Sequence, residues 1–169
     1  LMLPGTPFIY YGEEIGMAAA SSISDDGRLR TPMSWTGNLP GAGFTTSVPY
    51  RMTSSNATTQ NVQSQSAQPD SLLNFYKSML ALRNSRLSIL RGSYDRPFVQ
   101  GLVMGYTRTL GQERTLVLIN YGSQAAKVNL TDLPAAGVLS TLWPAGLATT
   151  SASFGAAEVE VAARSMRVM

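Results

Sequence analysis

The chain has 169 residues, 44% of them hydrophobic and 14% charged. That composition buries a core and excludes a disordered or collagen-like chain, and its apolar runs fall far short of the roughly 18 residues a membrane-spanning helix needs. With no Cys and no His, the chain provides no disulfide, zinc ribbon, thiol nucleophile, Ser-His-Asp triad or His base.

The 13 Lys and Arg against 10 Asp and Glu leave a net charge of +3. The excess is scattered apart from Arg83, Arg86, Arg91 and Arg96. Nucleic-acid binding wants a denser basic stripe with interleaved aromatics. Arg83 and Arg86 read instead as cations set against the dipole at a helix C-terminus. Neither a nucleic acid nor a membrane is expected as a partner. The opening, Leu1-Met2-Leu3-Pro4-Gly5, has no initiator Met and no basic n-region, so the sequence reads as one that starts partway through a longer protein, and it gives no compartment.

Residues 8–11, Phe-Ile-Tyr-Tyr, lie between Pro7 and Gly12. A short apolar run bounded by breakers predicts a strand buried on both faces, as in a barrel or a doubly wound sheet. Glu13 and Glu14 follow at its C-terminal end, the end that carries chemistry in barrel enzymes. Residues 18–69 lose periodicity. A loop of about 50 residues far exceeds the roughly 12–15 at which loops become unusual. Its Trp35, Phe44 and Tyr50, with Ile23, Leu29 and Met33, are expected to pin it against a folded body.

Residues 70–85 read as a helix. Leu72, Phe75, Tyr76, Met79, Leu80 and Leu82 recur mainly at three- and four-residue spacings, and Asp70 is the expected N-cap. After Gly92 the period becomes two. Strands are predicted over 103–109, 115–121, 126–130, 138–143 and 159–169, with turns at Gly111-Gln112 and Gly122-Ser123. Together they predict a small antiparallel sandwich.

Two carboxylates at the right separation suffice for glycoside hydrolysis, about 5–5.5 Å apart in a retaining enzyme. The candidates are Glu13, Glu14, Asp25 and Asp26. Neighbours on an extended segment point opposite ways, so the adjacent pairs are poor, whereas a cross-pair such as Glu14 with Asp26 stays open. The alternative is that Asp25-Asp26-Gly27 is a turn and the glutamates orient loops or Arg side chains. Arg28 and Arg30 can bond sugar hydroxyls or form surface ion pairs. Trp35 can stack on a sugar or anchor the loop. Gly41-Ala42-Gly43 lacks the third glycine of a dinucleotide loop. Asn56-Ala57-Thr58 and Asn129-Leu130-Thr131 match the glycosylation acceptor pattern, which chance often produces. The acids are too sparse for a calcium cage.

Residues 3–17, Leu-Pro-Gly-Thr-Pro-Phe-Ile-Tyr-Tyr-Gly-Glu-Glu-Ile-Gly-Met, closely resemble the last barrel strand of the α-amylase superfamily, glycoside hydrolase family 13. Arg30-Thr31-Pro32-Met33-Ser34-Trp35 resembles the Arg-x-Pro-Met-Gln-Trp segment of its α-glucosidase-like members, including the oligo-1,6-glucosidases. Ala42-Gly43-Phe44 resembles the Asn-Ala-Gly-Phe that follows it there. Asn61-Val62 with Gln65, the run from Ser71 to Lys77, and Leu82-Arg83 look like that group's lead into the final barrel helix.

The resemblance implies an α/β part joined to an all-β part. Residues 1–91 would be the last strand, active-site loop and last helix of a (β/α)8 barrel, and residues 92–169 a C-terminal antiparallel β-sandwich. It further implies retaining cleavage or transfer at α-glucosidic bonds. The nucleophilic Asp, acid/base Glu and stabilising Asp all lie in family motifs upstream of the region matched here, so no residue of this chain receives a catalytic role and the chain alone is expected to be inert. Arg30 matches the arginine that contacts the non-reducing glucose. Glu13, Glu14, Trp35 and Phe44 are expected to shape the pocket. The expected ligand is an α-glucoside or maltooligosaccharide, bound with the rest of the barrel. No cofactor or metal is expected in this chain, although calcium is compatible with the whole enzyme. Ser34, Thr36 and Gly41 depart from the family's Gln, Asp and Asn. A non-catalytic carbohydrate-binding or structural sandwich, and a transglycosylase such as trehalose synthase, are the alternatives.

Overall fold

The computed structural model describes residues 1–21, 26–133 and 136–169. The chain divides into two compact units: Thr6–Ala81, and Leu1–Gly5 with Leu82–Met169.

The Thr6–Ala81 unit is mostly irregular backbone. It holds two 3-10 turns, Glu13–Ile15 and Asp26–Leu29, the short helix α1 (Val62–Ser66) and most of α2 (Leu72–Ser85). The strand expected over residues 8–11 forms no ladder among the described residues, and Phe8 is 93% exposed. An extended segment becomes a strand only when a neighbouring strand takes its backbone N–H and C=O groups, and among the described residues no strand pairs with it.

α2 forms where the periodicity predicts a helix, with Met79 of the predicted stripe buried and Leu73, which lies off that stripe, buried as well. Leu72 and Phe75, both on the predicted stripe, are partly exposed. The cap is Ser71 rather than Asp70. Its hydroxyl accepts from Asn74 N at 3.2 Å, the bond an N-cap makes to the third helical amide. α1 is capped in the same way, Asn61 Oδ1 accepting from Ser64 N at 2.9 Å.

The loop is held by a different device from the one its aromatics suggest. Tyr50, Phe44 and Leu29 are exposed, and Trp35 is about half exposed. The buried positions are small or polar: Ala20, Ser34, Ala42, Ser54, Ala57, Asn61 and Gln65. Ser54 Oγ donates to Ala18 O and accepts from Ala18 N. Gln65 Nε2 donates to Ile15 O and to Gln60 Oε1, each at 2.7 Å, and its Oε1 accepts from Leu73 N at 3.0 Å. A buried amide with its groups satisfied can organise an irregular segment that lacks its own apolar core.

The second unit contains the rest of α2, α3 (Leu87–Arg91) and eight strands: β1 (Ser93–Gln100), β2 (Val103–Leu110), β3 (Glu113–Asn120), β4 (Ala126–Leu130), β5 (Ala136–Leu139), β6 (Thr150–Ser153), β7 (Ala157–Val161) and β8 (Ser165–Val168). They form an antiparallel sheet of order β1-β2-β3-β8 and the antiparallel pairs β4-β7 and β5-β6. Val103 and Leu118 from the sheet meet Val128, Leu130, Val159 and Val161 from the β4-β7 pair, with Met169, in one apolar cluster. Two layers sharing inward faces are the arrangement of a sandwich. Burying each such side chain contributes about 1.5–3 kcal/mol.

The strand predicted over 159–169 is two strands, because the chain turns through Arg164 at φ 47°. β1 and β6 lack the expected alternation. β1 carries Asp95-Arg96-Pro97, with Arg96 at φ 49° inside a register shift between Asp95 and Phe98. Such a bulge breaks the period of two. Arg83 and Arg108 are both buried here. Arg83 donates to the carbonyls of Leu1, Leu3 and Gly5 instead of serving as an exposed cation at a helix end.

Candidate functional site

The Thr6–Ala81 unit contains a cavity of about 570 Å³, lined by Tyr11, Glu14, Arg30, Trp35, Phe44 and Tyr50 together with Thr31, Pro32, Met33, Pro49 and Arg51. Volumes of roughly 300–1,000 Å³ are usual for pockets that hold a small molecule.

The turn that carries Glu14 depends on glycine. Gly12 and Gly16 flank it at φ 89° and 67°. A Cβ at Gly12 would also lie 2.6 Å from Met17 Sδ. Both glutamates fold back onto this turn. Glu13 Oε2 accepts from Tyr10 N at 3.2 Å, and Glu14 Oε2 accepts from Gly12 N at 2.8 Å. Glu14 reaches the cavity and Glu13 does not line it.

Trp35 is fixed through its backbone. Its N donates to Ala42 O at 2.9 Å, and its O accepts from Gln63 N at 3.0 Å. The adjacent Ser34 is fully buried, and its hydroxyl has no hydrogen-bond partner among the described residues. Phe44 follows the tight turn at Gly43, with Phe44 N donating to Gly41 O at 2.9 Å. The ring of Trp35 therefore sits on a braced backbone while remaining open to a ligand.

Arg30 Nη2 lies 2.5 Å from Asp26 Oδ2, both side chains being about two-thirds exposed. Exposed pairs of this kind contribute little stability. The Asp26 carboxylate is thereby engaged with a cation. Asp25 and Ile23 lie outside the described residues. Arg28 belongs to the second 3-10 turn, where its carbonyl accepts from Ala20 N, and it does not line the cavity.

Tyr11, Tyr50 and Arg51 complete the lining. For Tyr50 and Arg51 the sequence signal is an aromatic beside an arginine in a polar loop, whereas Tyr11 lies in the apolar run of residues 8–11. Tyr11 Oη donates to Thr31 O at 2.9 Å, tying the extended segment to the loop that carries Arg30. Burial pushes the Tyr11 phenol upward, the contact with Tyr10 adds to that push, and Arg30 and Arg51 oppose it. Among the described residues no three His, Cys, Asp or Glu side chains converge on a metal position. An aromatic wall with guanidinium and carboxylate groups at its edge suits a ligand with one apolar face and a ring of hydroxyls.

An extended segment, a long loop, a helix and a strand sandwich follow one another along the chain. Residues 1–92 match the alpha amylase catalytic domain, and the chain belongs to the alpha-amylase family. It is 31% identical over 166 residues to oligo-1,6-glucosidase of Parageobacillus thermoglucosidasius, covering 78% of this chain and 29% of that protein. It is 36% identical over 168 residues to the amino acid transporter heavy chain SLC3A1 of Mus musculus, covering 92% of this chain and 24% of that protein. An inactive double mutant of trehalulose synthase MutB in complex with isomaltulose superposes with a TM-score of 0.77 at 25% identity, over 99% of this chain and 36% of that one. The chain thus spans less than a third of the length of these curated relatives.

Proposed function

We propose that this chain forms part of a protein that cleaves or transfers α-glucosidic bonds with retention, and that the cavity is one wall of its glucose pocket. The gathering of Arg30, Glu14, Trp35 and Phe44 around one cavity carries this reading. In it, Arg30 donates to hydroxyls of the non-reducing glucose, Trp35 and Phe44 cover an apolar edge, and Glu14 and Glu13 shape the turn beneath. Residues 8–11 are the last barrel strand and α2 the last barrel helix, with the sandwich appended. The attacking carboxylate and the proton donor to the leaving oxygen come from outside these 169 residues, and calcium, where used, binds in the whole protein. The chain alone therefore releases no glucose.

Arg30→Ala in the intact protein tests the reading. Turnover of an α-glucoside is expected to fall at least 100-fold with an unchanged melting temperature, and wild-type kinetics would remove Arg30 from the pocket. Purified chain releasing glucose above a buffer control would overturn the assignment of the reacting acids elsewhere. The likeness to trehalulose synthase MutB supports transfer as readily as hydrolysis, and product analysis with the intact protein separates the two. The likeness to a transporter heavy chain over 92% of this chain supports a second, non-catalytic reading, in which the intact protein turns over no α-glucoside at all.

A further inference from the structure

The strand unit holds a cavity of its own, of about 1230 Å³, walled on one side by β1, β2 and β3 and on the other by residues of β4 and β5 and the stretches that follow them. It shares no lining residue with the cavity of the Thr6–Ala81 unit. A sandwich buries the facing sides of its layers, and those sides are normally apolar. On β2 the facing side runs Val103, Gly105, Thr107, Thr109, and on β3 it runs Leu118, Leu116, Arg114. Val103 and Leu118 belong to the apolar cluster, whereas Thr107, Thr109 and Arg114 line the cavity. Ser93 and Asp95 on β1 pair with Thr109 and Thr107. The inward face thus turns from apolar to polar within one sheet, and the polar half faces the cavity.

The opposite wall stays aliphatic. Leu130, Leu133, Leu139, Leu142 and Met169 line it, with Leu116 reaching across from the sheet. Leu116, Leu133 and Leu139 pack against the core cluster but are only partly buried. The nearby rings are already engaged. Phe98 covers Gly105, where a Cβ would lie 2.2 Å from Phe98 Cζ. Tyr94 packs at 4.9 Å on Tyr106, which belongs to the other face of the sheet. An aliphatic wall without a free aromatic platform suits a hydrocarbon chain better than a sugar ring.

The polar end lacks an acceptor. Asp95 accepts from the Ser93 hydroxyl, and Glu113 accepts from Ser88 N and Ser88 Oγ. Arg96 and Arg86 act on these two carboxylates, and Arg96 Nη1 also donates to Asp132 O at 3.1 Å. Arg114 makes no ion pair, and neither its side chain nor the Thr107 hydroxyl makes a hydrogen bond, among the described residues. A guanidinium without a partner is best met by a carboxylate, which takes two of its N–H groups at once. We propose that this cavity binds an aliphatic carboxylate of the medium-chain fatty acid class, its chain along the leucine wall and its head at Arg114 and Thr107.

Calorimetric titration of the intact protein with octanoate, butanoate, 1-octanol and maltoheptaose tests this. Octanoate is expected to bind one to one with a negative heat-capacity change, and butanoate about 100-fold more weakly, because each buried methylene is worth roughly fourfold in affinity. Arg114→Ala should weaken octanoate about 10-fold and 1-octanol less than about 3-fold. Leu133→Trp, which fills the cavity, should abolish octanoate binding at an unchanged melting temperature; where that variant fails to fold, the Arg114→Ala comparison decides alone. No octanoate binding to the wild type, butanoate binding as tight as octanoate, or octanoate affinity untouched by Arg114→Ala or by a folded Leu133→Trp would overturn the proposal. Equal losses on octanoate and 1-octanol would overturn the placing of the head at Arg114. Maltoheptaose binding that Arg114→Ala weakens, with no octanoate binding, would make the cavity a sugar site and overturn the proposal as well.

Discussion

Arg108 Nη1 donates to the carbonyl of Met2 at 2.9 Å, joining residues 106 positions apart in sequence. The same buried guanidinium donates through Nε to Ser93 O at 2.9 Å and through Nη2 to Gly92 O at 2.7 Å. Three carbonyls thus take the donors of one cation. Replacing it with Met keeps most of the volume but strands those carbonyls. Arg108→Met is expected to destabilise the chain by about 3 kcal/mol or more, read from the urea midpoint. Arg108→Lys should recover little, because an ammonium cannot reproduce the planar fork. A variant as stable as wild type would show that these carbonyls find other donors.

The neighbouring Tyr106 presents the opposite case. It is fully buried, its ring lies 4.9 Å from that of Tyr94, and its hydroxyl has no hydrogen-bond partner among the described residues. Burial pushes its phenol from 10.0 up to about 12, with Arg108 opposing the shift. The folded state therefore favours the neutral phenol. Its contribution is fully present below pH 10 and is lost as pH rises toward 12. Tyr106→Phe should leave stability at neutral pH unchanged or raise it by about 1 kcal/mol, and should flatten the alkaline fall in stability. Titration of tyrosinate absorbance against unfolding would detect a Tyr106 that ionises with the exposed tyrosines, which contradicts the assignment.

Gly105 on β2 faces Phe98 on β1 in the sheet register. A Cβ at position 105 would lie 2.2 Å from Phe98 Cζ and 2.9 Å from Leu118 Cδ2. The ring occupies the space above the glycine, a known way of covering a bare stretch of strand. Gly105→Ala is expected to cost about 1–3 kcal/mol through overpacking. Combined with Phe98→Leu it should cost less than the sum of the single changes, and additive thermal shifts would disprove the contact.

Gln65 makes a prediction for the loop. Gln65→Glu removes the amide donor to Ile15 O and Gln60 Oε1 and sets a carboxylate against them. Both Gln65→Glu and Gln65→Ala should destabilise the Thr6–Ala81 unit, by about 1–3 kcal/mol for Ala and more for Glu. Faster amide exchange at Leu73, whose N–H donates to Gln65 Oε1, is the local readout. Unchanged exchange would assign the loop's order to other contacts.

How much of this was legible beforehand varied with the kind of signal. α2 was legible because a 3.6-residue apolar period survives in the sequence, and β4 was found at its own bounds because its period of two is uninterrupted. β1 and β6 were missed. Proline and charge interrupt the first, and Thr-Ser-Ala-Ser in the second offers little to bury. Among the site residues, Arg30, Glu14, Trp35 and Phe44 were named from motif resemblance and line one cavity. Glu13 was named with them but is spent on the local turn. Tyr50 was expected to anchor the loop and is instead exposed at the cavity.

The sequence by itself determined the family, the helix and most of the strand sandwich, because those depend on short-range order and periodicity. The tertiary structure alone decided which polar groups are buried and what they meet: Arg108 with Met2, Gln65 with Ile15, and Tyr50 beside Arg51 at the cavity rim. Such pairings link residues whose separation in the chain says nothing of their separation in space. A polar side chain reads as surface until the fold shows what it bonds.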